Sequence, residues 1–137
     1  VANAGVLLTR VDILKPTEHK NFAIVDAAMN DLIRPALYQS EMAVIPTQLN
    51  SPVEPKVWDI VGAICETGDF LAKNRVLSLA ADDVLAMTGA GAYGFVMASN
   101  YNSRPRACEV LIKDGVAHLI RERETVESLW QLEHIIK

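Results

Sequence analysis

Short runs of apolar residues, rich in β-branched side chains, alternate with polar residues along the chain and predict a β-rich fold. Apart from two runs near the C-terminus, they occupy residues 6–15, 21–28, 41–49, 57–64 and 82–87. Pro16 ends the first of these runs, and Pro46, inside the third, makes that run an edge or ending strand. In the fourth, Val57 and Asp59 alternate with Trp58 and Ile60, which predicts a strand with one buried face.

The spacing of the runs predicts two antiparallel hairpins. Runs 6–15 and 21–28 are separated by a short polar turn. Near the C-terminus, Asp114 and Gly115 separate residues 106–113 from residues 116–123. An Asp-Gly pair suits the positive φ that a tight hairpin turn requires, so this second hairpin carries the clearer signal.

Helical signals are confined to short segments. Asn30 or Asp31 is a candidate N-cap for a short helix that has Pro35 in its first turn. Residues 124–136 carry leucines and isoleucines at helical spacing, which predicts a C-terminal helix. With about seven strands and no long helices between them, the pattern predicts a mainly β domain, an antiparallel barrel or sandwich, and disfavours a parallel α/β fold.

Composition narrows the class of protein. The chain has 137 residues, the size of one domain, and half of them are apolar. A formal net charge of −4 argues against sequence-independent nucleic-acid binding and against a polybasic membrane patch. Two cysteines without zinc-type spacing are typical of a reduced, cytoplasmic chain without a metal site. Because the chain begins with valine inside an apolar pattern, we expect it to be a piece of a longer polypeptide.

Cys65 and Glu66 are adjacent at the end of a predicted strand, just before a Thr-Gly-Asp turn. A thiol with an ordinary pKa can donate a proton near neutral pH, and the neighbouring carboxylate can hold an ammonium group. From these residues alone, the alternative is a buried cysteine beside a solvated glutamate.

Arg34 and Tyr38 are four residues apart, so one helical turn places them on the same face. An arginine fork with a phenol beside it suits a carboxylate or a phosphate. The alternative is an arginine stem packed on a tyrosine. Tyr93 lies in a glycine-rich stretch, residues 88–95, where the backbone can approach a ligand or simply turn a barrel corner. The polar residues 99–106 either order a site or cap the following strand.

Taken together, the stretches MNDLIRPALY, ICETGDFLAK and GAGAYGFVMASNYNSRPRACEVLI resemble the C-terminal part of the diaminopimelate decarboxylase family, whose members are pyridoxal-phosphate enzymes with an alanine-racemase-like fold. The resemblance implies that residues 1–137 are one C-terminal β-domain and that a cofactor-binding (β/α)8 barrel precedes it. The implied reaction removes CO2 from meso-diaminopimelate to give L-lysine. The implied assembly is a cytoplasmic homodimer with shared active sites.

The resemblance also assigns roles to individual residues. Arg34 and Tyr38 look like ligands of the distal carboxylate of the substrate, and Glu66 looks like the ligand of its distal ammonium group. Cys65 looks like the proton donor, and Tyr93 looks like a contact of both cofactor and substrate. The family's cofactor lysine has no matching motif in this chain, so we expect the isolated 137-residue chain to be inactive.

Two alternatives stay open at this point. One is a related decarboxylase of the same fold that acts on another basic amino acid. The other is a β-module for binding or assembly that has no catalytic activity. The family's β-domain takes a further strand from the N-terminal part of the full chain, so the isolated chain is expected to have an unpaired sheet edge and to self-associate or rearrange there.

Overall fold

The structure, a computed structural model, describes residues 1–136. The strands in this part of the chain are β1 (Val6–Pro16), β2 (Asn21–Val25), β3 (Val44–Pro46), β4 (Lys56–Val61), β5 (Phe70–Leu77), β6 (Val84–Thr88), β7 (Glu109–Lys113) and β8 (Val116–Arg121). A short helix, α1 (Arg34–Tyr38), lies between β2 and β3. Single turns of 3-10 helix occupy Ala2–Ala4, Phe95–Met97, Tyr101–Ser103 and Glu127–Leu129.

Six strands form one sheet in the order β3-β6-β1-β2-β4-β5, and β7 and β8 form a second sheet. All neighbours pair antiparallel except β2 and β4, which are parallel. The two edge strands of the larger sheet, β3 and β5, approach each other. The Arg75 guanidinium on β5 donates a hydrogen bond at 3.2 Å to the carbonyl of Met42, two residues before β3. The sheet is therefore a nearly closed barrel, which confirms the predicted mainly β class, and the parallel β2–β4 pair is its one departure from the predicted antiparallel arrangement.

Both predicted hairpins are present. Strands β1 and β2 pair through Val11 with Val25 and through Leu14 with Ala23. In the second hairpin the turn residues Asp114 and Gly115 have φ values of 51° and 76°. Gly115 adopts this left-handed conformation without steric cost, which is why the Asp-Gly pair was a reliable signal.

The hydrophobic core fills the inside of the barrel. It includes large side chains from β1, β4, β5 and β6 and from the loops beside them, among them Val11, Leu32, Ile60, Leu71, Leu79, Leu85 and Met87. Leu32 is fully buried and lies two residues before α1. Its burial fixes the start of that helix against the barrel.

Strand β5 was not predicted, and the predicted alternation in β4 is wrong. Trp58, Asp59 and Ile60 are all buried, so an acidic side chain lies inside the fold, with only 1% of Asp59 exposed. Its carboxylate accepts hydrogen bonds from the Lys20 ammonium at 2.8 Å and from the Asn74 amide at 2.7 Å. These two partners, from elsewhere in the chain, offset the cost of burying the charge.

Two helix predictions are corrected. The N-cap of α1 is Ile33, not Asn30 or Asp31, although Pro35 does lie in the first turn. The Asp31 carboxylate does not cap α1 and instead accepts a hydrogen bond from the Ala28 backbone amide at 3.0 Å. The predicted C-terminal helix over residues 124–136 is replaced within the described residues by the single turn Glu127–Leu129.

Glu124 attaches this C-terminal segment to the loop before β7. Its carboxylate accepts hydrogen bonds from the backbone amide and the guanidinium of Arg106. It also accepts one from the Asn100 side chain at 2.7 Å. The Arg106 hydrogen bonds, ahead of the one from Asn100, lower the pKa of Glu124 from 4.5 to about 2.

Replacing Glu124 with glutamine should destabilise the protein at neutral pH but not in strong acid. A carboxylate whose pKa is lowered by folding stabilises the native state above its unfolded pKa. That contribution is lost as the pH falls from 4.5 to about 2. Urea unfolding of both proteins between about pH 7 and pH 2 should show the difference in unfolding free energy closing in this window. Glu54→Gln, in an exposed loop, is the control. A difference in unfolding free energy between Glu124→Gln and the wild type that stayed constant with pH would contradict the prediction.

Candidate functional site

A buried aspartate, Asp69, joins the loop before α1 to the turn that carries Cys65 and Glu66. One carboxylate oxygen accepts a hydrogen bond from the Met29 amide at 2.7 Å, and the other accepts one from the Ile64 amide at 2.8 Å. Asp69 is only 4% exposed. Gly62 lies beneath this junction, where a Cβ atom would come within 2.6 Å of the Ala28 Cα atom. The close approach of the two segments therefore requires glycine at this position.

Asp69→Ala should lower the free energy of unfolding by about 3 kcal/mol, because two backbone amides would lose their charged acceptor in a buried place. Asp69→Asn should not restore the lost stability, since an amide side chain presents one donor group where two acceptors are needed. Urea denaturation measures the effect. Asp12→Ala, on the exposed side of β1, should change stability by less than about 0.5 kcal/mol. Equal losses from both alanine variants would contradict this role for Asp69.

Arg104 attaches a third loop to the same junction. Its guanidinium donates to the side-chain oxygen of Asn30 at 3.0 Å and to the Asp26 carbonyl. The Ser99 amide donates to the Asn30 carbonyl at 2.9 Å. Burial raises the pKa of Asp31, and Arg104, 3.9 Å away, opposes that shift. The loop of residues 99–104, part of the polar stretch 99–106 singled out in the sequence, is thus held against the loop that precedes α1.

Cys65 and Glu66 lie on the surface of the turn that Asp69 anchors, and both side chains are exposed. The alternative of a buried thiol is therefore wrong. The Tyr101 hydroxyl donates a hydrogen bond to the Glu66 carboxylate at 3.1 Å. That hydrogen bond, followed by the charge of Glu66, raises the pKa of Tyr101. Glu66 and Tyr101 therefore form one polar cluster, and Cys65 is adjacent to Glu66 in the sequence.

Tyr101 is a member of this cluster that we did not identify as a site residue from the sequence. Its segment, SNYNSRP, was noted for polarity and turn content only. The one signal available was an aromatic residue inside an otherwise polar turn. That signal does not indicate a partner 35 residues away.

Arg34 and Tyr38 lie at the two ends of α1, as predicted from their spacing. The Arg34 guanidinium donates one hydrogen bond, to the Gly89 carbonyl at 3.1 Å. Gly89 has a φ of 76° and begins the glycine-rich turn, so this contact connects α1 to the segment that carries Tyr93. One contact uses only part of the five-donor fork. Tyr38 is 61% exposed.

Tyr93 protrudes from the glycine-rich turn, with a φ of 57° and 63% of its surface exposed. It borders an open cleft of about 800 Å³ that is also lined by Phe95 and Arg106. A second cleft, of about 500 Å³, separates α1 from the turn at Thr67 and Gly68. Of the five predicted site residues, Tyr93 lines the first cleft, and none of the other four lines either cleft.

Among residues 1–136, none of the five predicted site residues forms a hydrogen bond with another. Their segments are connected indirectly, through Asp69, through Arg104 and through the bond from Arg34 to Gly89. The same part of the chain contains no group of three His, Cys, Asp or Glu side chains placed to hold a metal ion. It also contains no helix with the length and apolar character needed to span a membrane.

The fold and the site define a class of protein: a nearly closed β-domain that displays a thiol, a carboxylate, a guanidinium and phenols on exposed loops. Residues 1–91 match the family described as "Pyridoxal-dependent decarboxylase, C-terminal sheet domain", and the chain belongs to this family.

Individual relatives agree with the family assignment. The chain is 62% identical to a diaminopimelate decarboxylase of Pseudomonas aeruginosa, over 99% of the chain and 32% of that protein. A crystal structure of diaminopimelate decarboxylase from M. jannaschii superposes with a TM-score of 0.94 at 39% identity, over 99% of this chain and 31% of that one. A crystal structure of the Helicobacter pylori enzyme complexed with L-lysine superposes with a TM-score of 0.89 at 42% identity. That match covers 97% of this chain and 32% of the Helicobacter chain. The chain spans about a third of the length of these relatives.

Proposed function

We propose that this chain is the C-terminal domain of a diaminopimelate decarboxylase, which converts meso-diaminopimelate to L-lysine and CO2. The observation that carries the proposal is the display of opposite charges on neighbouring loops. The Arg34 fork keeps donors free beyond its bond to Gly89, and the Glu66 carboxylate is exposed on the turn across the cleft from α1. The similarity to named diaminopimelate decarboxylases over almost the whole chain supports it.

The charges match the end of the substrate that does not react. The distal centre of diaminopimelate carries both a carboxylate and an ammonium group. Arg34 and Tyr38 would bind the carboxylate, because a planar guanidinium and a phenol both donate hydrogen bonds to it. Glu66 would bind the ammonium. A diamine such as ornithine has no carboxylate at its far end and would meet an unpaired arginine, so the site would select against it.

Cys65 would supply the proton that replaces the lost CO2. Its thiol is exposed and adjacent in sequence to Glu66, so the segment that binds the distal ammonium also offers an acid to the rest of the substrate. The Sγ atom donates its proton to the carbon that has lost its carboxylate, and the thiolate that forms is later reprotonated from solvent. The thiol needs no neighbouring base for this role, because it acts as an acid.

The residues of this chain fit a contact with pyridoxal phosphate but not the whole cofactor site. Tyr93 offers one exposed phenol on a turn without bulky side chains, which suits packing against a flat ring. Its cleft is also lined by Arg106, but that guanidinium is already bound to Glu124. When bound, pyridoxal phosphate withdraws the electron pair that departing CO2 leaves behind. The preceding barrel would hold most of the cofactor.

The proposed assembly is a cytoplasmic homodimer in which Cys65 and Glu66 complete the active site of the second subunit. Both side chains are exposed in the single chain, so a second subunit can reach them.

The test is a decarboxylation assay with the full-length natural protein that contains this chain, supplied with pyridoxal phosphate. We expect CO2 release from meso-diaminopimelate and at least about a hundredfold lower kcat/KM with ornithine or arginine. Preference for ornithine or arginine would favour a related basic amino-acid decarboxylase. Absence of CO2 release from every substrate would favour a β-module without catalytic activity.

A further inference from the structure

The carboxylate of Glu66 is exposed but held in place. A surface glutamate has three rotatable side-chain bonds and samples many conformations unless a partner restrains it. Here the Tyr101 hydroxyl, 3.1 Å away, is that partner, and it comes from a loop 35 residues further along the chain. The contact is therefore a tertiary one, which the fold has to position.

The position of Tyr101 is itself fixed from both sides. Its backbone amide donates to the Ser99 hydroxyl at 3.3 Å. The preceding Asn100 side chain donates to the Arg104 carbonyl at 3.0 Å and to Glu124 at 2.7 Å. Arg104 connects the loop to Asn30. A turn with this many anchors presents its tyrosine at a defined place beside Glu66.

The direction of the hydrogen bond leaves Glu66 able to bind a cation. The Tyr101 hydroxyl is the donor, to the Oε2 atom of Glu66, and this hydrogen bond is the chief cause of the raised pKa of Tyr101. An ionised carboxylate has about four acceptor positions, so one phenolic donor leaves the others available for an ammonium group. The phenol thus orients the carboxylate without neutralising it.

We propose that Tyr101 is a positioning residue for substrate recognition, whose hydroxyl holds the Glu66 carboxylate in the orientation that receives the distal ammonium group. This inference rests on the proposed function, in which Glu66 binds that ammonium. Tyr101 itself acts through Glu66 and does not touch the reacting carbon. It sets the preference of the site for an amino acid over a simple carboxylic acid at the distal end.

The test compares two ligands that differ in one group. L-Lysine keeps the carboxylate and the ammonium of the distal centre, because CO2 leaves from the other end of the substrate. ε-Aminocaproate is the same molecule without that ammonium group. In the full-length protein loaded with pyridoxal phosphate, Tyr101→Phe should weaken lysine binding in calorimetry by about tenfold and leave ε-aminocaproate binding unchanged. The KM for meso-diaminopimelate should rise by a similar factor, with a smaller change in kcat.

Ser103→Ala is the matched control, because it removes a hydroxyl from the same 3-10 turn. It should leave the affinities for both ligands unchanged. The phenylalanine ring keeps the packing of Tyr101, and a thermal melt checks that the variant is folded. Equal losses for lysine and ε-aminocaproate would mean a general disturbance of the loop and would overturn the proposal, as would no loss for either ligand.

A double-mutant cycle with Glu66→Gln separates this inference from the proposed function. If Tyr101 acts through Glu66, Tyr101→Phe should cause little further loss of lysine affinity once Glu66 is glutamine. Independent, additive losses would overturn the positioning role while leaving Glu66 as the ammonium ligand. If Glu66→Gln alone does not change the ratio of the two affinities, the role of Glu66 in the proposed function fails as well.

Discussion

Replacing Cys65 with alanine in the full-length protein is expected to lower kcat for meso-diaminopimelate by about a thousandfold, within the range attributed to a positioned proton donor. KM should stay within about threefold, because the thiol contributes to the proton transfer and not to binding the charged ends of the substrate. Steady-state assays of CO2 release measure both constants. Lysine affinity, measured by calorimetry, should be unchanged.

Cys108→Ala provides the control for Cys65→Ala. Cys108 is the other free thiol among the described residues and is only partly exposed. Its replacement should leave kcat and KM as they are. Normal turnover in Cys65→Ala would remove the proton-donor role and leave the cysteine as a surface residue beside the ammonium ligand. A rise in KM with normal kcat would assign Cys65 to binding instead.

Arg34→Met is expected to weaken L-lysine binding and to raise KM for meso-diaminopimelate by about a hundredfold, because the distal carboxylate would lose its charged partner. Cadaverine, which is lysine without its carboxylate, should bind the variant at least as tightly as it binds the wild type, because it no longer meets an unpaired arginine. Arg34→Lys should recover part of the loss, since it keeps the charge but not the planar fork. Calorimetry with both ligands gives the comparison.

The bond from Arg34 to the Gly89 carbonyl offers a competing explanation for such a loss. If the role of Arg34 is only to hold the glycine-rich turn, Arg34→Met should weaken lysine and cadaverine binding equally, which would contradict carboxylate recognition. Arg10→Met is the matched control, because Arg10 is an exposed arginine on β1 that pairs with Asp12. It should leave both affinities unchanged.

Local patterns predicted those parts of the fold that depend on neighbours in the sequence. Strand β1 follows from its β-branched residues, and the β7–β8 hairpin follows from Asp114 and Gly115, whose φ values are set within the turn. Strand β5 was missed because its burial does not alternate: Leu71 and Ala72 are both buried, and Asn74 has a φ of 54°. An irregular strand of this kind carries no period-2 signal.

In the C-terminal segment, by contrast, the sequence pattern predicted a helix that the structure does not contain in the described residues. Leu132, Ile135 and Ile136 have helical spacing but are at least 85% exposed. An amphipathic helix is stabilised mainly by packing its apolar face, and within the described residues these side chains have no such packing. Periodicity alone therefore did not produce a helix.

For the candidate site, the sequence by itself determined which chemical groups are present and which of them share a short segment. Arg34 and Tyr38 share a helical turn, and Cys65 and Glu66 share another turn, because spacing along the chain decides both. Only the tertiary structure decided how the segments meet, through buried Asp69 and through the bond from Tyr101 to Glu66. Hydrogen bonds between residues dozens of positions apart leave no periodic trace in a sequence, because they depend on how the whole sheet closes.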